Sequence, residues 1–246
     1  MTYLTFFNKN LVHENPKAAF DCYRQHVYKM ADRKTDVSPA DLYVGLKNIN
    51  NELKSQNKIG LMNTMAKSLI QSLVSLKQDN LASIMYSYMI KLNKDNPKLV
   101  KEYAINALAV AKRSDDPIHI MARANDVANV CFKTKPGSEE HIKYLKIQHD
   151  ALADICTNYH TTLPQRFNTI SKELLPLDNY EVKLCFVKLN LAEYTYYRNP
   201  KEAQTMFNDA IQLFIKNKDY PDREHFAKVA SKLNYVERKL AIFINR

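Results

Sequence analysis

The sequence predicts an all-α protein built from antiparallel helix pairs, and three observations carry that expectation. Glycine is scarce: an average chain of 246 residues holds on the order of 17 at about 7% usage, and this one holds 3. Hairpins and phosphate loops need the positive φ that glycine supplies, so a β-rich fold is disfavoured, and neither GxGxxG nor GxxxxGK[ST] can be written. Proline recurs behind a capping side chain at helix-length intervals. Between those points apolar residues repeat with the 3.6-residue period, and no run of alternating β-branched residues survives to form a sheet.

Taken along the chain, Asn15-Pro16, Ser38-Pro39, Asn96-Pro97, Asp116-Pro117, Asn199-Pro200 and Tyr220-Pro221-Asp222 each read as a helix start. Proline fits the first helical position because its missing N–H would have no partner there, while the preceding Asn, Ser or Asp accepts from a free first-turn N–H. Breaks without proline fall at 57–60 and 78–80. The helix between them, 58–77, is apolar nearly all round, with Lys58, Lys67 and Lys77 as its only charges, and is expected to be central. Residues 115–133 carry Ala122, Ala124 and Ala128, small enough for close helix approach, and pair with 137–160 across Lys135-Pro136-Gly137. Residues 178–197 and 199–217 pair in the same manner. In the latter, Ala203, Met206, Phe207, Ala210, Ile211 and Phe214 form one face. The last helix, 221–244, turns Phe226, Val229, Ala230, Leu233, Val236 and Leu240 inward as a terminal cap, with Arg223, Lys228, Lys232 and Glu237 wet. The count is about eleven helices in one helical-repeat domain spanning 1–246.

Three segments start alike: NPKAAFDCY, NPKLVKEYAINAL and NPKEAQTMFNDAI. In the pair 178–217, Leu191-Ala192 precedes the spaced Ala203, Phe207 and Ala210. On these residues the stretch 115–217 resembles tetratricopeptide (TPR-like) repeat proteins, although the chain has no tryptophan. The resemblance implies an α-solenoid or superhelical stack whose first helices line a concave, partner-binding surface. LNLAEYTYY followed by NPKEAQTMFNDAIQLF is also similar to the penultimate helices of 14-3-3 proteins, but that family's phosphate-gripping arginines and tyrosine have no counterpart motif here.

Net charge is +10 and unevenly placed: residues 1–114 hold 17 Lys/Arg against 9 Asp/Glu, and residues 115–246 hold 19 against 17. A lysine-rich half attracts nucleic acid, anionic lipid or an acidic protein, or simply solvates outer helix faces. Cys22, Cys131, Cys156 and Cys185 form no CxxC pair, which fits reduced thiols. With no basic leader and no apolar run of membrane-spanning length, a cytoplasmic setting is expected. Cys22 and His26 lie one turn apart, too few for a zinc site, and no metal or other cofactor is expected. His149 falls on an apolar helix face with Leu145 and Leu152, as a core or groove histidine does. Asp115-Asp116 and Glu139-Glu140 sit at helix starts, where capping accounts for them.

No catalytic residue is written in the chain, and a dispersed active site ranks below a binding role. The candidate partner-binding residues form two aromatic–basic groups. One is Asn190, Tyr194, Tyr197 and Arg198, with Tyr194 and Tyr197 on one side of a helix and Tyr196 on another. The other is Tyr86 with Lys91, Lys94, Lys98 and Lys101. The expected function is a scaffold or adaptor for a protein or peptide; the alternative is nucleic-acid binding through the lysine-rich half. Nothing in the sequence argues against homo-oligomerisation.

Overall fold

A computed structural model of the protein describes residues 9–32, 39–166, 174–217 and 223–232. Among these residues every regular element is helical. In order they are α1 (Lys9–Glu14), α2 (Pro16–Ala31), α3 (Pro39–Ser55), α4 (Ile59–Ser75), α5 (Asp79–Leu92) and α6 (Pro97–Arg113), then α7 (Pro117–Thr134), α8 (Glu139–Asn158), α9 (Leu163–Arg166), α10 (Leu177–Thr195), α11 (Pro200–Lys216) and α12 (Arg223–Lys232). The expected all-α class is what the chain adopts. No helix among the described residues is long and apolar enough to cross a membrane. The chain divides into two compact units with the boundary after Ser114: α1–α6 lie in the first and α7–α12 in the second.

Helix starts follow the capping chemistry. Asn15, Asn96 and Asn199 accept through Oδ1 from the N–H of Ala18, Leu99 and Glu202, with proline at the first helical position each time. Asp116 accepts from Ile118 and His119. The recurrent Asn-Pro-Lys is therefore a cap in all three places. The Tyr220-Pro221-Asp222 start and the inward Leu233, Val236 and Leu240 lie outside the described residues.

Two helix ends show what glycine scarcity does. After α3, Lys58 N–H donates to the Leu53 carbonyl and Asn57 N–H to Lys54; after α4, Gln78 donates to Leu73 and Lys77 to Val74. These are Schellman closures, whose left-handed residue is usually glycine. Here Asn57 at φ 57° and Lys77 at φ 56° occupy it. The second closure puts the break ahead of Asp79 rather than across 78–80.

In the first unit α5 and α6 make the most extensive pairing, and α4 contacts both α3 and α5. Phe20, Tyr23, Leu46, Ile49, Leu69, Met85 and Tyr103 belong to its core. The expected central placement of α4 is corrected. Met62, Ala66, Leu69, Ile70 and Leu73 are buried, but Leu61 and Leu76 are 38% and 58% exposed, and Thr64, Ser68, Gln71 and Ser75 stand in solvent. Thr64 and Ser75 donate to the carbonyls of Gly60 and Gln71 in their own helix, so an uncharged face is satisfied without a neighbour.

In the second unit α7 pairs with α8 and α10 with α11, as expected, and α8 also packs on α10. The helix buried on several sides is α10. It buries Leu184, Cys185, Leu189 and Ala192 together with two carboxylates, Glu181 and Glu193. Lys216 and Asn217 donate to Glu181, and His225 with Lys228 reaches Glu193. Burying a carboxylate is tolerable only with such partners. They hold the end of α11 and the start of α12 against α10.

Candidate functional site

Helix α8 carries charge along one side: Glu139, Lys143, Lys146 and Asp150 recur at helical spacing, interrupted by Ile142 and Ile147. Where α10 gives way to α11, the backbone turns tightly, with the N–H groups of Arg198 and Asn199 both donating to the Thr195 carbonyl. Asn199 then caps α11 and also donates through Nδ2 to Glu202. This turn stands opposite the charged side of α8 and encloses a groove of about 500 Å3.

Its floor is apolar, formed by Ile142, Ile147 and the stems of Lys143, Lys146 and Arg198. The rim alternates in sign. Lys146 and Glu202 form an ion pair across it at 2.6 Å. The Lys143 ammonium lies over the Tyr144 ring, 5.6 Å from its centroid. The Arg198 guanidinium has no ion-pair partner among the described residues, which leaves its planar fork of donors open at the rim.

The expected residues separate. Only Arg198 of the first group lines this groove. Tyr194 packs edge-on against His141, centroids 5.0 Å apart, and close to Gly137. Tyr197 is 80% exposed, and Asn190 donates to the Phe186 carbonyl. The last residue of α10 is Thr195, but Tyr196 keeps helical dihedrals and Asn199 N–H donates to the Thr195 carbonyl across Tyr197; Tyr194 is half-buried and Tyr197 is exposed. In the first unit Tyr86 packs on Tyr103 at 6.1 Å and lines a smaller hollow of about 340 Å3. Lys91 lies over the Tyr43 ring at 5.2 Å; Lys94 and Lys98 are exposed around the α5–α6 turn, and Lys101 is half-buried.

No protein-family model and no curated protein matches the chain.

Sequence reasoning missed the α8 wall. The signal that marks it is the isoleucine pair set into a charged helical stripe. The remaining reactive side chains are held in structural roles. Burial pushes the Cys156 thiol up to about 11 and the Cys185 thiol up to about 12, so both stay protonated near neutral pH. Cys185 also donates to the Ala210 carbonyl. His26 gives its Nδ1 proton to the Cys22 carbonyl rather than to the thiol. His149 is mostly buried, with Nδ1 2.9 Å from Asp150 Oδ1. His141 closes a reciprocal cap: its N–H donates to Ser138 Oγ while its Nδ1 accepts from Gly137 N–H. Burial keeps its pKa below the ordinary value, so the ring holds the neutral form that bond requires.

Proposed function

We propose that the protein is a non-enzymatic scaffold that binds a protein or peptide segment in the groove between α8 and the α10–α11 turn. The observation that carries this reading is the combination of an apolar floor with an open guanidinium on its rim. A segment with an apolar anchor and an adjacent carboxylate fits both: the anchor removes Ile142 and Ile147 from water, and the carboxylate takes Arg198 bidentately. The two helix pairs of this unit also support a TPR-like stack, in which such grooves repeat.

Selection of displayed peptides on the full chain tests it. Binders are expected to combine an apolar residue with Asp or Glu, and to be lost on Arg198→Glu and on Ile147→Glu. Charge reversal of Lys94 and Lys98 is expected to leave them bound. Binders indifferent to both groove substitutions overturn the assignment. The rival reading rests on the exposure of Lys94 and Lys98. It predicts nucleic-acid affinity that falls with salt, by a logarithmic slope of about −0.7 to −0.9 per phosphate neutralised. Submicromolar nucleic-acid binding at physiological salt, abolished by those reversals, would replace the scaffold with it.

A further inference from the structure

The groove between α8 and the α10–α11 turn is edged by charges in a fixed order. On the α8 wall the outermost positions, Glu139 and Asp150, are acidic, and both are exposed. Of the two lysines between them, Lys146 is spent on Glu202, while Lys143 lies over a ring and meets no carboxylate. Arg198 adds a second open cation from the facing turn. Outside the Lys146–Glu202 pair the rim is therefore balanced, two acidic groups against two basic, in a chain of net charge +10. A rim balanced in this way suits a partner segment that is balanced itself rather than a polyanion.

The backbone narrows the choice further. A helical wall spends its N–H and C=O groups internally except at its ends, and no strand edge exists among the described residues. An extended segment laid in the groove would find no ladder of backbone partners. A helix arrives with its own hydrogen bonds made. From Glu139 to Asp150 the wall runs about 16 Å at about 1.5 Å per residue, long enough for the i, i+4 and i+7 anchors of an amphipathic helix. The Lys146–Glu202 pair crosses this path, but both side chains are partly exposed, so the pair is weak and yields to an occupant that offers each a new partner.

On the footing that this groove is the partner-binding site, we infer that its occupant is an amphipathic α-helix of a protein partner, basic at both ends of the contact and acidic between them. Basic side chains then face Glu139 and Asp150, and carboxylates take Lys143 and Arg198. The spacing on α8 is uneven, four residues from Glu139 to Lys143 and seven from Lys143 to Asp150. A helix parallel to α8 matches it with basic, acidic and basic residues at i, i+4 and i+11; an antiparallel one does so at i, i+7 and i+11.

Fluorescence anisotropy of the full chain with three labelled peptides of zero net charge tests this. The first carries leucine at i+1, i+5, i+8 and i+12, lysine at i and i+11, and glutamate at i+4 and i+7, which serves both orientations. The second exchanges the lysines and glutamates. The third is the first with proline at two interior positions. The first is expected to saturate and to bind tighter than either of the others by about tenfold or more. The variant with Glu139→Lys, Lys143→Glu, Asp150→Lys and Arg198→Glu is expected to prefer the second peptide; all four side chains are exposed, and circular dichroism checks that the fold is kept. Equal binding of the first and third peptides, both lost on Ile147→Glu, leaves the groove as a binding site and overturns the helical occupant. Equal binding of the first and second overturns the charge order. Affinities indifferent to Ile147→Glu overturn the groove itself. Failure of all three peptides to saturate, with displayed peptides still held by the groove, overturns the helical occupant alone.

Discussion

Phe207→Ala probes the packing of the second unit directly. Phe207 has 0% exposure on α11; its ring centroid is 5.2 Å from that of Phe226, which stacks in turn on Phe214 at 4.6 Å. A buried aromatic removes about 150–250 Å2 from water, so at about 25 cal/mol per Å2 the whole side chain contributes about 4–6 kcal/mol as an upper bound. The β-carbon that remains in alanine retains part of this. What surrounds the ring decides how much of the cavity persists. Ala192, Ala203 and Ala210 share its cluster and have no reach to fill the space, so relaxation recovers little. The expected loss is about 4 kcal/mol, within the usual range of about 3–5 for such a truncation. Urea unfolding followed by far-ultraviolet circular dichroism measures it. Tyrosine emission gives a second probe, because the chain has 15 tyrosines and no tryptophan. Phe132→Ala is the control: that ring is 47% exposed and should cost less than about 1 kcal/mol. A loss below about 1 kcal/mol at Phe207 would refute the core assignment.

Two further predictions concern glycine positions and buried histidines. Gly137 has φ 68°, and a Cβ there would lie 3.0 Å from Tyr194 Cδ1, so Gly137→Ala should cost about 1–3 kcal/mol; Gly60→Ala, with nothing within 4 Å, should be neutral or stabilising by urea midpoint. His119 and His141 both titrate below their ordinary 6.5 in the folded chain, chiefly through burial, with Asp116 partly opposing the shift at His119. The unfolded chain therefore takes up their protons first as pH falls. Their contribution to stability is complete above about 6.5 and declines as the pH drops toward the folded values. The urea midpoint at pH about 5.5 should lie below that at about 7.5, and His141→Gln should flatten the slope. A midpoint that rises on acidification contradicts neutral burial of these rings.

Helix starts were readable because each cap is satisfied within three residues of itself: Asn15, Asn96 and Asn199 need nothing distant to accept an N–H. Features that depend on long-range partners were not. Glu181 and Glu193 look like surface residues in sequence, and the groups that permit their burial, Lys216 and His225, arrive 35 and 32 residues later. In α4 the uncharged Thr64 and Ser75 counted as compatible with burial, yet their hydroxyls are satisfied inside the helix and they face water. Arg198 could be recognised as a groove residue, but the isoleucines it faces could not, because the groove exists only once α8 packs on α10.

The left-handed residues show where a local rule breaks without a local reason. Asn57 is the usual substitute for glycine at such a position, because its short polar side chain tolerates the geometry. Lys77 has no such tolerance, and the closing hydrogen bonds around it would form equally well with glycine. Backbone energetics therefore argue against lysine at this position. Residues that violate local preference are held in place by the structure around them, and at Lys77 the closing hydrogen bonds alone do not account for the choice of side chain.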